Sequence, residues 1–297
     1  SAAAAGRSLD LMYYAWRKDA LGALLAAEAW RAAERGVRVR MLVDDVNSQG
    51  SDAALAALDR HPNIEVRIHN PLWIRSGAAR VAEMLLRFAR FNHRMHNKAW
   101  IADGRLAIVG GRNIENRYFD AAEEVNFRDL DMLVLGPAVG GAERAFDLFW
   151  NHETAWPVAA LNQDDDAALD AALANLLAAH DSPHARPYVD AIARASSLAA
   201  FVAARGSLRW SSRIEIASDP PGKWRARRLR RDWIATRLWT WTRDTAREAL
   251  VVSPYFVPRR RFTALLRALA RKGARVEVVT NSLAANDVAA VHGGYMR

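Results

Sequence analysis

One strand–helix–strand pattern occurs twice in this chain, and it restricts the possible fold more than any other feature of the sequence. RSLDLMYYAW at 7–16 is echoed by EALVVSPYFV at 248–257, and each segment leads through a helical stretch to a strand that starts after a glycine. Aligning Gly36 with Gly273 places apolar residues opposite apolar residues, so that Val37, Val39, Met41 and Leu42 match Ala274, Val276, Val278 and Val279. Repetition at this scale indicates a duplicated α/β unit.

The periodicity of the remaining sequence extends this alternation. Short apolar runs predict strands at 8–14, 37–43, 64–69 and 127–135, and apolar residues at helical spacing predict helices at 18–35, 51–59, 77–90 and 138–151. Alternating segments of this kind favour an α/β fold in which a mixed sheet is flanked by helices on both faces.

We expect three regions along the chain. Residues 1–157 form the first α/β half, 158–206 an alanine-rich helical linker or insert, and 207–297 the start of a second half. His96 follows Gly36 by 60 residues, and the same spacing from Gly273 leads to a position near 333, beyond Arg297. The second half is therefore expected to be incomplete, and the sequence to be an internal piece of a longer protein.

A second feature is the pattern H-x-K-x(4)-D-x(6)-G-G-x-N, which runs from His96 to Asn113. Chance produces it in roughly one of a hundred thousand chains of this length. Its middle contains Asp103–Gly104, a dipeptide typical of a two-residue β-hairpin turn. In an extended strand His96 and Lys98 project from the same face, whereas Asp103 lies an odd number of residues away and does not join them.

These residue types suit phosphodiester transfer, which needs a nucleophile and positive charge around the phosphate oxygens. A neutral imidazole such as that of His96 can attack phosphorus, and the ammonium of Lys98 can lie beside the attacked phosphate. Asn113 can donate N–H bonds to a phosphate oxygen, and the Gly110–Gly111 pair allows close backbone approach. A lone His-x-Lys is usually a surface pair, but the surrounding pattern favours the functional interpretation.

Composition narrows the classes of partner and chemistry. The chain has no cysteine, which excludes disulfides, thiolate metal sites and cysteine nucleophiles. Its net charge of +9 favours an anionic partner, either phospholipid headgroups or nucleic acid, although a basic protein without such a partner remains the alternative. No apolar run approaches the length of a membrane span. We expect neither a metal nor a cofactor, and we interpret His180 and His184 as exposed polar residues.

A segment at 207–247 combines tryptophans with many arginines. From Arg225 to Glu248 it contains eight arginines and three tryptophans, with Trp210 and Trp224 upstream. Basic residues beside tryptophans suit the interface of an anionic membrane. The alternative is an ordinary helix that packs its apolar stripe on the second sheet, and the repeat favours a helix at this place.

The pattern from His96 to Asn113 resembles the motif of the phospholipase D superfamily, in which the position of Gly111 is often serine. Longer segments resemble bacterial cardiolipin synthases of that superfamily, whose catalytic region has two such halves. These segments are RMHNKAWIADGRLAIVGGRNI, VNFRDLDMLVLGP, FWN at 149–151, SDPPGK at 218–223, SPYFVP at 253–258 and TNSLAANDVAAVHGGY at 280–295. The resemblance covers nearly the whole chain and agrees with the α/β interpretation.

The resemblance implies a phosphatidyltransferase of cardiolipin synthesis, located peripherally at the bacterial inner membrane. It implies that His96 attacks phosphorus to give a phosphatidyl-histidine, and that Lys98, Asn113 and Gly111 lie around the phosphate. Asp103 completes the motif in a supporting role. The histidine of the other half protonates the leaving group, and which of the two histidines attacks stays open.

Several alternatives remain at this point. Phosphatidylglycerol is the expected lipid, with phosphatidylethanolamine as another candidate for the second substrate. With one motif the chain is expected to be inactive alone, unless a homodimer pairs two His96 motifs. Other functions are a phospholipase D or phosphodiesterase that uses water, a nuclease, and a non-catalytic lipid-binding protein. The nuclease is disfavoured because no base-stacking aromatic platform is evident.

Overall fold

The computed structural model describes residues 1–46, 50–88, 93–161, 164–179, 182, 185–186, 188–190, 209–225, 230–231 and 233–285. They belong to two compact units, Ser1–Arg225 and Ala226–Arg297. His180 and His184 lie outside the described residues, and so does the end of the predicted linker, 191–206.

The first unit is built on a seven-stranded mixed sheet with the order β6-β5-β4-β1-β2-β3-β7. Strands β1, β2 and β3 are parallel, whereas β4 pairs antiparallel with β1, and β5, β6 and β7 also pair antiparallel with their neighbours. The strands are β1 Ser8–Tyr13, β2 Arg38–Asp44, β3 Ile64–His69, β4 Lys98–Ala102, β5 Leu106–Gly110, β6 Asp131–Leu135 and β7 Ala155–Pro157.

Helices cover both faces of this sheet. Leu9 and Leu11 of β1 face a core that includes residues of helices α1 and α2, whereas Met12 faces a second core that includes residues of α4. The helices of this unit are α1 Ala20–Glu34, α2 Asp52–Asp59, α3 Gly77–Leu86, α4 Val139–Trp150 and α5 Asp166–Ala178. Strands buried on both faces read as nearly continuous apolar runs, which is why β1 and β2 were evident from sequence.

The motif hairpin forms as predicted. Asp103 and Gly104 both have positive φ, 56° and 64°, the combination that a type I′ turn requires. Asp103 tolerates this backbone conformation better than most residues, and Gly104 adopts it without steric cost. The turn joins β4 to β5 and therefore sets the register between the two strands that carry the motif.

Helix α3 ends at Leu86, and residues 89–90 of the predicted helix lie outside the described residues. Two strands differ from the sequence prediction. Strand β6 begins at Asp131 rather than 127, because its partner β5 ends at Gly110, which pairs with Asp131. The short strand β7 was not predicted; it pairs with the outer edge of β3.

The second unit repeats the β-α-β pattern of the first. Its strands β8 Glu248–Val252 and β9 Arg275–Val279 are parallel and are connected through helix α7 Arg259–Arg271. Gly36 and Gly273 have φ of 88° and 92° at the ends of equivalent helices. In both copies the next residue donates its N–H five residues back, Val37 to Ala32 and Ala274 to Leu269, as in a Schellman motif. The predicted duplication is thus present in the backbone.

Helix α6, Ile234–Arg243, precedes this pair of strands, at the place where the repeat predicted a helix. All ten of its residues are described and none is buried, and Leu238 and Trp241 are about half exposed. Within the second unit, Trp239 of α6 contacts Phe262 of α7. No helix in the described parts of the chain is both long and apolar enough to cross a membrane.

Candidate active site

His96 and Lys98 lie together, although only Lys98 belongs to a strand. Strand β4 begins at Lys98, and His96 occupies the extended segment just before it. The Lys98 Nζ atom is 3.1 Å from Nδ1 and 3.3 Å from Nε2 of His96, and it donates to the His96 carbonyl oxygen at 3.0 Å. Lys98 is buried whereas His96 is exposed, so the ammonium approaches the imidazole from inside the fold.

Hydrogen bonds hold the residues on both sides of His96. The backbone N–H of Met95 donates to Oδ2 of Asp44 at 2.9 Å, and Asp44 is fully buried at the end of β2. On the other side, the Asn97 amide donates to the Ser218 hydroxyl at 3.0 Å. Because both neighbours of His96 are bonded, the imidazole has a fixed backbone support before any substrate arrives.

Tyr14 completes the immediate surroundings of the histidine. Its ring centroid is 4.6 Å from that of His96, and Lys98 Nζ lies 5.1 Å from the Tyr14 ring centroid. Tyr14 directly follows β1, the strand paired with β4, and this explains how it reaches both motif residues. A cation near an aromatic face is attracted by the ring, so Tyr14 stabilises the ammonium in its position.

The charges of the site favour a neutral imidazole beside an ammonium. Desolvation and then the charge of Lys98 lower the pKa of His96 to about 4, against an opposing effect of Asp129. Desolvation lowers the pKa of Lys98 to about 8, against the opposing charges of Asp129 and Asp44. At pH 7 the imidazole is therefore neutral, and the lysine is mostly protonated.

Asn113 follows β5 in the chain and is hydrogen-bonded to Ala15, the residue after Tyr14. Its Oδ1 accepts the N–H of Ala15 at 3.2 Å, and its Nδ2 donates to the Tyr118 hydroxyl at 3.0 Å. An amide nitrogen carries two N–H groups, so one remains for an additional acceptor. The side chain is buried, which makes its orientation well defined.

The two glycines of the motif allow close packing rather than unusual backbone angles. A Cβ at Gly110 would lie 2.4 Å from the Leu130 carbonyl oxygen, and one at Gly111 would lie 2.1 Å from Oδ1 of Asp129. Gly111 therefore leaves room for the carboxylate whose charge acts on both His96 and Lys98.

Asp103 is not brought to His96. It follows the far end of β4, roughly 16 Å from Lys98 at the usual rise per residue of a strand. Its carboxylate accepts the backbone N–H groups of Gly6, Arg7 and Ser8 at 2.7 to 3.2 Å. It thus connects the hairpin turn to the start of β1, which is a supporting position.

A cavity of about 220 Å³ adjoins Lys98 on the side of the sheet covered by α1. Trp100, two residues along β4, also lines it, and its Nε1 is buried without a hydrogen-bond partner among the described residues. The other lining residues are Ser1, Tyr13, Leu25, Ile108, Gly110, Arg112, Ile114, Phe119 and Asp131. The sequence did not indicate this cavity.

Sequence reasoning also missed Tyr14 and Asp129. Asp44 accepts the N–H of Val46, and it also accepts the N–H of Met95, next to His96. Its position after a parallel strand was the available signal. Within the described residues, no group of three or more His, Asp or Glu side chains could hold a metal ion.

Comparison with known proteins identifies cardiolipin synthases as relatives of this chain. Residues 2–150 match the family described as "Cardiolipin synthase, PLD-like domain". Cardiolipin synthase C of Escherichia coli K12 is 36% identical over 293 residues, which cover 99% of this chain and 61% of that protein. A cardiolipin synthase of Staphylococcus aureus Mu50 is 28% identical over 149 residues, which cover 49% of this chain and 28% of the relative. The chain thus spans about three fifths of the length of the E. coli protein.

Among solved structures, the phosphatidylserine synthase of Haemophilus influenzae Rd KW20 resembles this chain with a TM-score of 0.58. The sequences are 14% identical, and the match covers 96% of this chain and 59% of the other. At this identity the likeness concerns the fold, and it agrees with the mixed sheet flanked by helices.

Proposed function

This chain belongs to the phospholipase D-like family of cardiolipin synthases, and from that premise we propose that it carries one nucleophilic half of a phosphatidyltransferase. The reaction is the transfer of a phosphatidyl group from one phospholipid to the headgroup hydroxyl of another. The observation that carries the proposal is the 3.1 Å approach of Lys98 Nζ to a neutral, exposed His96.

The site supports a two-step mechanism. A nitrogen of neutral His96 attacks phosphorus, and the new N–P bond forms as the P–O bond to the first headgroup breaks. Lys98 and the remaining N–H of Asn113 stabilise the charge on the phosphate oxygens. The departing oxygen takes a proton from a second imidazole, and the incoming hydroxyl later returns that proton as it displaces His96.

The second imidazole has to come from another motif, because this sequence contains a single H-x-K-x(4)-D pattern. In our proposal it belongs to a second half of a longer polypeptide, with residues 207–297 at its start, or to a second copy of this chain. In either case an isolated monomer of this chain lacks the proton donor, and we expect it to transfer phosphatidylglycerol very slowly.

The lipids and the location follow from the same proposal. Phosphatidylglycerol is the proposed donor, phosphatidylglycerol or phosphatidylethanolamine the proposed acceptor, and the bacterial inner membrane the proposed location, with peripheral attachment. The exposure of His96 supports a competing outcome in which water takes the phosphatidyl group and phosphatidic acid is released.

A good leaving group tests the nucleophile without the second half. Phosphatidyl-p-nitrophenol releases a phenolate that departs without a proton, so a lone His96 motif can complete the first step. We expect one equivalent of p-nitrophenol and alkali-stable phosphate label on the wild-type chain and on His152→Gln, a control outside the motif. His96→Ala is expected to show neither.

The labelled products show which acceptor takes the phosphatidyl group in the second step. In mixed vesicles that contain phosphatidylglycerol, label recovered as cardiolipin supports the transferase, and label recovered only as phosphatidic acid supports the hydrolase. Equal labelling of His96→Ala and wild type would overturn the proposal. So would rapid, His96-dependent turnover of phosphatidylglycerol by material that sediments as a monomer, since the proposal requires two motifs.

A further inference from the structure

Helix α3 presents its apolar side to solvent and its charged side to the protein. All ten of its residues are described, and none is buried. The side chains of Arg80 and Glu83 are only 12% and 10% exposed, whereas Leu86 is 87% exposed. A surface helix of a water-soluble domain normally has the opposite arrangement, with the apolar stripe facing the core.

Ion pairs, rather than apolar packing, attach this helix to the fold. Arg75 and Arg80 both bind the buried carboxylate of Asp45, at 2.5 and 3.4 Å. Glu83 accepts the backbone N–H groups of Trp73 and Ile74 at 3.2 and 2.9 Å, so the segment before α3 lies against the helix. The inverted orientation is therefore fixed by specific bonds on the protein side.

We call the outward surface the α3 apolar face. Val81, Leu85 and Phe88 are spaced i, i+4 and i+7, which places them along one side. Each member of the face is 40% or more exposed: Trp73, Ile74, Val81, Leu85, Leu86 and Phe88. Trp73 also makes an edge contact with the exposed Trp156, with 4.9 Å between ring centroids. Contiguous apolar surface of this kind marks a contact site.

The helix that carries the α3 apolar face and the segment that carries His96 are bonded to two adjacent residues, Asp45 and Asp44. Asp45 binds Arg75 and Arg80 of the α3 region, and Asp44 accepts the N–H of Met95, the residue before His96. Both carboxylates lie at the carboxyl end of β2. A surface that meets the α3 apolar face is therefore brought to the edge of the sheet where the nucleophile lies.

We propose that the α3 apolar face is the surface by which this chain docks on an anionic phospholipid bilayer. The inference rests on the proposed function, because the scissile phosphate of a phospholipid lies at the bilayer surface. Two exposed tryptophans suit the headgroup region. The chain carries a net charge of +9, an excess of positive charge that complements anionic lipid.

Site-specific probes test the docking directly, because the chain has no native cysteine. An environment-sensitive fluorophore is attached to Leu86→Cys and, as a matched control, to Leu148→Cys on α4, which is also exposed at 56%. With phosphatidylglycerol vesicles we expect the probe at 86 to shift to the blue and to be quenched by lipid-borne spin labels. We expect the probe at 148 to stay in water.

The affinity of the chain for phosphatidylglycerol vesicles is the second measurement. We expect Leu85→Glu/Leu86→Glu to weaken vesicle sedimentation by about tenfold or more, since two apolar side chains lose their burial in lipid. Leu148→Glu is expected to bind like the wild type, and all variants to keep the wild-type circular dichroism spectrum. His96→Ala is also expected to dock normally, so loss of chemistry and loss of docking are distinguishable.

Three outcomes overturn the inference. The first is vesicle binding in which the probe at 86 remains in water. The second is a blue shift at 86 that depends on protein concentration without lipid, which would assign the face to a second copy of the chain. The third is no vesicle binding by the wild-type chain. Catalytic failure with normal docking would instead contradict the proposed function alone.

Discussion

The backbone N–H of Met95 donates to Oδ2 of Asp44 at 2.9 Å, which attaches the residue before His96 to the end of β2. Strand β2 lies in the interior of the sheet and is mostly buried, so this bond attaches the His96 segment to the core. The adjacent Asp45 holds the α3 region in the same way. Two neighbouring carboxyl groups therefore connect the core to the proposed nucleophile and to the proposed docking surface.

The ionisation of His96 is the first prediction. Desolvation and the Lys98 ammonium lower the pKa of His96 to about 4 from 6.5. We expect NMR titration of the imidazole to give a midpoint near this value in the wild type. Replacing Lys98 by Met removes the positive charge, and we expect the midpoint to move towards 6.5. An unchanged midpoint in Lys98→Met would contradict the assigned coupling.

The pH dependence of the first chemical step is the second prediction. Since the pKa of His96 is about 4 and that of Lys98 is about 8, neutral His96 and charged Lys98 coexist between these values. We expect the rate of p-nitrophenol release to be level near pH 6 to 7 and to fall above about pH 8. A rate that keeps rising through pH 9 would exclude a role for the Lys98 charge.

Asp44 gives a prediction about stability and pH. Desolvation raises its pKa to about 7 from 3.8, against the opposing charge of Arg94 and the N–H bonds of Met95 and Val46. Between these values the folded state holds a proton that the unfolded state has lost, so the stabilising contribution is present at low pH and declines as pH rises through about 7. Asp44→Asn lacks this titration.

We therefore expect the unfolding free energy of Asp44→Asn to change less with pH than that of the wild type. The difference in slope is at most about 1.4 kcal/mol per pH unit, the value for one proton. Urea denaturation at pH 5, 6, 7 and 8 measures it. Parallel curves for the two proteins would show that Asp44 keeps its charge throughout this range.

Tight packing at Gly110 gives the fourth prediction. A Cβ there would lie 2.4 Å from the Leu130 carbonyl oxygen, a backbone atom that cannot move aside cheaply. We expect Gly110→Ala to destabilise the fold by about 1–3 kcal/mol. The control is Gly140→Ala near the start of α4, where the nearest atom is the Arg144 guanidinium at 3.4 Å. That change is expected to be neutral or stabilising by up to ~1 kcal/mol.

The sequence predicted those parts of the molecule that depend on local physics. The Asp103–Gly104 turn follows from two residues that adopt positive φ, and the equivalent helix ends at Gly36 and Gly273 follow from the same property of glycine. The alternation of strands and helices predicted the layered α/β fold. His96 and Lys98 lie together as their spacing predicted, although His96 precedes the strand instead of belonging to it.

The parts that were not predicted depend on contacts between distant segments. Tyr14 reaches His96 because β1 and β4 are neighbours in the sheet, and this order is not encoded in either segment alone. Asp129 acts on the site because Gly111 leaves it room. The reversed orientation of α3 depends on the ion pair of Arg80 with Asp45, 35 residues earlier in the chain. Helical periodicity locates an apolar stripe but does not say which side faces the protein.

Asp103 gives the last prediction, which separates support from catalysis. Its carboxylate accepts the N–H groups of Gly6, Arg7 and Ser8, and these bonds outweigh the effect of burial and lower its pKa. The folded state therefore favours the charged form, and the stabilisation is present above the ordinary pKa of an aspartate and is lost as pH falls below it. We expect Asp103→Ala to lower the unfolding free energy at pH 7 by about 1–3 kcal/mol, since several N–H groups lose their acceptor.

Asp103→Asn is the matched variant. It tolerates the positive φ of 56° and keeps one side-chain acceptor, so we expect about half of that loss. In both variants the first-order rate of p-nitrophenol release, measured well below the melting temperature, is expected to stay within about threefold of the wild type, because Asp103 acts on the turn and not on the phosphate. A hundredfold slower step in a folded Asp103→Asn protein would instead place this carboxylate in the chemistry.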